Sequence, residues 1–223
     1  MTRKNTRLAD TNRATSGVAT AIHITAITWV DQASAHWPEP LRQCVDSAVP
    51  KQFSAYGNLE LIKKPPMAFF CSVNCPGHLV LKALDWIGQT RDQGVVMVSG
   101  FHSPVEQEAL KILLRGKQPI VICPARSLTG MSLSADWEKA HEQDRLLLLS
   151  VAADSEHRIT AATALARNRF VVALAERVVI AHAEPGSKTE TLLRFAISLG
   201  KPTLTFPENT ELLTNGVTSL SEF

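Results

Sequence analysis

The sequence lacks the marks of a membrane, secreted or strongly polyanion-coating protein. No stretch approaches the ~18 consecutive apolar residues of a membrane span, and the longest candidate, 146–153, is interrupted by Ser150. The basic start, Met1-Thr-Arg-Lys-Asn-Thr-Arg, has no apolar core of the kind a signal peptide carries. Only four cysteines occur in 223 residues (Cys44, Cys71, Cys75 and Cys123), which is not the density of a secreted disulfide framework. These absences predict a cytoplasmic protein. Neither sign of charge is in excess: 23 Lys and Arg face 21 Asp and Glu, so a histone-like mode of nucleic-acid binding is excluded while a local basic pocket is not.

Nucleotide fingerprints are missing too. No Gly-x-Gly-x-x-Gly follows the first strand-like run. Gly186-Ser187-Lys188-Thr189 invites comparison with a Walker A loop, but Ala181 stands where its first glycine is required. Cys71, Cys75, His102, Cys123 and His182 fall at or just after predicted strands, yet Cys-x3-Cys is not a zinc-knuckle spacing. No Ser–His–Asp set is identifiable by spacing, and triads are recognised by geometry. The expectation is therefore no metal, no cofactor and no catalytic residue.

What is present is a regular alternation. Residues 1–18 read as a flexible basic arm, and 19–66 as an irregular, mainly helical N-terminal extension that ends in Lys63-Lys64-Pro65-Pro66. From Met67 onward, apolar runs at 67–73, 95–98, 120–123, 146–150, 178–181 and 202–206 read as strands. Between them lie helical stripes such as Val80, Ala83, Leu84 and Ile87. Strictly alternating βα units with unbroken apolar strands predict an α/β fold for residues 67–223, a Rossmann-like doubly wound parallel sheet with helices on both faces. Such sheets bind ligands at the carboxyl ends of their strands.

Two strand-end loops share one pattern. Ser99-Gly100-Phe101-His102 leads into Ser103-Pro104-Val105-Glu106, and Glu184-Pro185-Gly186 into Ser187-Lys188-Thr189-Glu190. Each is a glycine-bearing turn followed by a Ser-x-x-Glu capping box, which presents backbone N–H groups and a positive helix end to an anion. Capping boxes also simply start helices; two at one sheet edge favour an anion site, with phosphate the natural occupant. Arg167-Asn168-Arg169 adds planar donors suited to phosphates and base edges, fanning outward if the segment is helical.

In order along the chain, several segments resemble the DprA (Smf) family of DNA-processing proteins. Trp37-Pro38-Glu39-Pro40-Leu41 looks like its YPxxL, Tyr56-Gly57-Asn58-Leu59-Glu60-Leu61 like kGNlelL, and Met67 to Val73 like vaIVGSR. Val96 to Gly100 resembles vVSGlA, and Ala166 to Leu174 with Val178 to Ala183 resembles RNRIIAGLS…vlVVEA, the most specific pairing. Gly186 to Thr189 falls near SGSLiTA and Gly200 to Phe206 near GRxVfavP. The resemblance implies a Rossmann-like domain that binds single-stranded DNA, forms a homodimer and loads a RecA-type recombinase during DNA uptake and recombination. Carried onto this chain, the phosphate- and nucleic-acid-binding residues are Ser72, Asn74, Ser99, Gly100, Phe101, Arg167, Asn168, Arg169, Gly186, Ser187, Lys188 and Thr189. Val73 stands at the arginine of GSR and His102-Ser103-Pro104-Val105-Glu106 replaces the ARGID segment; both changes weaken the phosphate pocket. The alternative is a nucleotide-binding sensor or an enzyme like the phosphoribohydrolases, whose PGGxGTxxE motif Pro185 to Glu190 echoes without its later glycines.

Overall fold

The structure, a computed structural model, describes residues 23–24, 26–44, 49–215 and 217–222. The expected basic arm at 1–18 lies outside the described residues. Six parallel strands follow the predicted alternation: β3 (Met67–Cys71), β4 (Met97–Ser99), β5 (Ile120–Ile122), β6 (Leu146–Ser150), β7 (Arg177–His182) and β8 (Thr203–Thr205); a short seventh, β9 (Thr218–Ser219), lies beyond the expected series and pairs parallel with β8. Between them run α2 (Gly77–Thr90), α3 (Pro104–Leu114), α4 (Ala135–Glu142), α5 (Ala161–Leu174), α6 (Lys188–Ser198) and α7 (Thr210–Thr214).

The apolar strands are continuous because each face of the sheet has its own core. Side chains alternate across a strand, so Leu147 and Leu149 enter one core while Leu146 and Leu148 enter the other. The same division puts Ala68 and Phe70 opposite Phe69 and Cys71, and Val178 and Ile180 opposite Val179 and Ala181. Helices α5 and α6 cover the first face, and α2, α3 and α4 the second.

The N-terminal extension departs from the mainly helical expectation. It holds β1 (Thr28–Asp31), the five-residue helix α1 (Glu39–Gln43), β2 (Gln52–Gly57) and one 3-10 turn at Leu59–Ile62. β2 pairs antiparallel with β6, and β1 pairs antiparallel with β2, giving the order β1-β2-β6-β5-β4-β3-β7-β8-β9. The cause is the leucine-rich β6, whose edge would otherwise be left unpaired. β2 covers it with Phe53 and Ala55 turned into the α5 face. Trp37 stacks on Phe53 and Phe53 packs tilted against Phe170, centroids 5.5 and 5.4 Å apart, joining the extension to α5. Short alternation within a polar segment gave β2 only a weak signal.

Gly57 closes this edge. Its φ is +106° and a Cβ there would overlap the Leu146 carbonyl oxygen, so both conformation and space require glycine. Gly57→Ala is expected to cost about 2–4 kcal/mol of unfolding free energy, read from urea titration of the full chain; a change under about 0.5 kcal/mol would contradict this register of β2 on β6.

Candidate nucleic-acid interface

Strand β3 lies between β4 and β7, so the chain crosses to opposite sides of it and leaves a crevice at the carboxyl ends of β3 and β7. Ser72 and Asn74 follow β3 on one wall; Glu184 to Ser187 follow β7 on the other. The walls are bonded together. Ser72 N–H donates to the His182 carbonyl at 2.9 Å, and Ser72 Oγ accepts from Glu184 N–H at 2.9 Å. The Ser72 and Ser187 hydroxyls meet at 3.2 Å, and Asn74 Nδ2 lies 3.1 Å from both Glu184 carboxylate oxygens.

The start of α6 uses part of its donor capacity internally. Ser187 Oγ accepts from Glu190 N–H at 3.1 Å, and Gly186 N–H donates to Glu190 Oε2 at 2.7 Å. Arg194, 2.7 Å from Oε1, holds the Glu190 carboxyl below the ordinary carboxylate range, helped by the Gly186 N–H. Lys188 and Thr189 occupy the first two helical positions, whose N–H groups have no intrahelical acceptor, and the Lys188 side chain is exposed beside them. This end of the crevice offers amide donors, a positive helix end and one exposed lysine.

The loop after β4 is different. Its donors are already taken by an acid from the same chain. Glu106 is 6% exposed and lies where the sequence pattern suggested an anion. Its Oε1 accepts from Cys71 N–H at 3.0 Å, and Oε2 from His102 N–H at 2.8 Å and Ser103 N–H at 3.4 Å. Phe101, at φ +48°, gives its N–H to Ser99 Oγ at 3.1 Å and turns its ring into the core. Ser99 is fully buried. The Ser103/Glu106 capping box was readable in sequence; the reach of Glu106 to the neighbouring strand was not.

Arg167-Asn168-Arg169 sits mid-helix in α5, and the expected outward fan does not occur. Positions two apart lie about 200° apart around a helix axis, so the two arginines take opposite environments. Arg167 is 5% exposed and lies against Gly100, where any Cβ would overlap its guanidinium. Its Nη1 donates to the Cys123 carbonyl at 2.9 Å, and burial lowers its pKa against the attraction of Glu106. Arg169 instead lies over the Phe195 ring of α6, 5.3 Å from its centroid, while Asn168 is half-buried between them in sequence. Lys188 and Arg169 are thus both associated with α6, and Arg167 belongs with Gly100 and Phe101. Trp29, the 44% exposed aromatic, is on β1 at the far edge of the sheet from this crevice.

Residues 12–222 match the family model of DNA recombination-mediator protein A. The fold is similar to DNA processing protein A of Streptococcus pneumoniae, with 19% identity over 87% of this chain and 71% of that one and a TM-score of 0.73. It is also similar to the Helicobacter pylori protein, with 21% identity over 87% of this chain and 90% of that one and a TM-score of 0.68; that structure is described as giving insight into a unique single-stranded DNA binding mode. No curated protein matches the sequence.

Among the described residues no group of three or more His, Cys, Asp or Glu side chains is placed to hold a metal ion. The strand-end cysteines differ sharply in acidity. Cys75, half-buried, is lowered by a hydrogen bond with Cys71, which that same contact and burial push up. Cys123 is wholly buried and pushed up to about 12. Since the thiolate is the nucleophile, iodoacetamide at neutral pH should label Cys75 before Cys71 and Cys123. Peptide mass mapping checks this, and first labelling at Cys123 would contradict the geometry.

Proposed function

The chain belongs to the DNA recombination-mediator protein A family, and from that premise we propose that it binds single-stranded DNA, without catalysing a reaction, along the crevice at the carboxyl ends of β3 and β7. One observation carries the reading: the Ser72 and Ser187 hydroxyls close the crevice at 3.2 Å and set the open amino end of α6, with exposed Lys188, on its rim. Phosphate oxygens meet the Lys188 and Thr189 N–H groups and the Lys188 ammonium there. Asn74 supplies an amide at the opposite wall, and Gly186 lets the backbone approach closely. Arg169 adds a cation on the flank of α6.

Family membership supports a role as a mediator of recombination: the bound strand is passed to a RecA-type recombinase, by a homodimer acting in the cytoplasm during DNA uptake. No helix among the described residues is long and apolar enough to cross a membrane. Val73, 67% exposed at the mouth, brings no charge where the family motif carries arginine, so affinity falls below that of a member with the arginine. Glu106 and Glu184 act in the same direction by holding donors that phosphate would otherwise take.

A small patch of this kind makes about 3 phosphate contacts, which corresponds to a log–log salt slope of about −2 for a single strand. Lys188→Ala and Arg169→Ala should each reduce that slope by about 0.7, with duplex DNA bound more weakly than single strands. Fluorescence anisotropy with a labelled hydroxyl-ended oligonucleotide at a series of salt concentrations tests it. No binding at low salt, or slopes unchanged in both variants, would sink the reading.

A further inference from the structure

A second concave site lies beside the crevice, at the ends of β4 and β5. Its cavity of about 190 Å³ is lined by Phe101, Leu110, Ile122 and Trp137 together with Arg126 and Arg167. Both arginines carry a buried Nε that has no hydrogen-bond partner among the described residues. Arg167 is 5% exposed and its Nη1 is bound to the Cys123 carbonyl, while its Nε is a buried donor without an acceptor among the described residues. Glu106 attracts the Arg167 charge from outside the cavity, and none of the residues lining the cavity is acidic. Exposed His102 and Ile159 lie at its rim.

Two guanidinium donors in an apolar-walled recess suit an oxyanion: planar N–H pairs match its oxygens, and the surrounding low dielectric strengthens the attraction. Size narrows the class. The cavity is below the range of about 300–1,000 Å³ that holds drug-sized ligands, so a whole nucleotide does not fit. An internal phosphodiester is also excluded, because the strand would need both to enter and to leave a recess whose floor is the buried Arg167. A phosphate with one substituent or none meets both limits.

We propose that Arg126 and Arg167 form a phosphate-monoester pocket, which takes inorganic phosphate or the terminal phosphate of a bound single strand. The strand-end form rests on the single-strand reading above; the phosphate form stands without it. In the strand-end form, the crevice holds the internal phosphates and this pocket distinguishes a phosphorylated end from a hydroxyl end.

Thermal unfolding of the full chain in potassium phosphate against potassium chloride at matched ionic strength tests the pocket directly. Phosphate should raise the wild-type midpoint, and Arg126→Gln, on the more accessible side of the cavity, should weaken the apparent phosphate affinity at least ~tenfold. Arg167→Lys, which keeps the charge but loses the fork, should do the same; should it fail to fold, Arg126→Gln decides alone. A wild-type midpoint unmoved by phosphate, or a shift fully retained in Arg126→Gln, overturns the proposal. Anisotropy with otherwise identical oligonucleotides then separates the sources. A preference for the terminal phosphate that disappears in Arg126→Gln supports the strand-end form. A phosphate effect without that preference supports the free anion and overturns the strand-end form. Binding of the hydroxyl-ended oligonucleotide reports on the crevice separately.

Discussion

The carboxylate of Glu106 ties the ligand edge of this protein together. It gathers N–H groups from the end of β3 and from the turn after β4 at the start of α3. Arg167 reaches toward it from α5 and is itself bonded to the chain leaving β5. Three strand ends and two helices on opposite faces of the sheet are therefore fixed around one acid and one guanidinium. Burial pushes the carboxyl up and the guanidinium down, while three N–H bonds and the opposite charges act against both shifts. Removing the Glu106 carboxylate would strand the three N–H groups it accepts from, and an unsatisfied buried donor typically costs about 1–3 kcal/mol. The acid therefore specifies how the loops meet.

In the proposed reading, that arrangement decides which helix start is left open to an external anion. A helix start becomes a phosphate site only while its N–H groups remain open. At α3 they are filled from within; at α6 Glu190 draws off the Gly186 N–H and leaves the first-turn amides of Lys188 and Thr189. Two loops with nearly the same sequence grammar thus divide into a structural joint and an open edge. The difference lies in the third dimension: Glu106 has the Cys71 N–H within reach and is 6% exposed, whereas Glu190 is turned toward solvent and pairs with Arg194.

The parallel sheet was legible in sequence because a strand buried on both faces has no polar alternation to obscure it. Leu146 to Leu149 could hardly be anything but interior, and the stripe of Val80, Ala83, Leu84 and Ile87 marked α2 directly. β2 was hidden because its signal is only Phe53 and Ala55 among polar residues, and its purpose, covering β6, involves a partner about ninety residues away. The capped helix starts were legible as well, since Ser103, Glu106, Ser187 and Glu190 sit at fixed offsets. Sequence spacing does not say which acceptor a capping acid also reaches, or which of two arginines two positions apart turns inward. Arg126 gave no signal at all: it lies in an irregular loop and gains meaning only through its nearness to Arg167.

The near-neutral charge of the chain now has a structural counterpart. The cations Lys188, Arg169 and Arg167 near the carboxyl edge of the sheet are divided by environment. Lys188 sits in water, where its attraction to phosphate is long-ranged and fades with salt. Arg169 is spread over an aromatic ring, which favours a flat, weakly hydrated cation over a strongly hydrated one. Arg167 is buried, so its field is little screened, but only a guest small enough to reach it can use that field. An exposed ammonium gathers a polyanion without reading it; a buried guanidinium makes shape and end-group chemistry matter. In the proposed reading, attraction along a strand and selectivity at a recess are separable properties, because the residues assigned to them are shielded from solvent to different degrees.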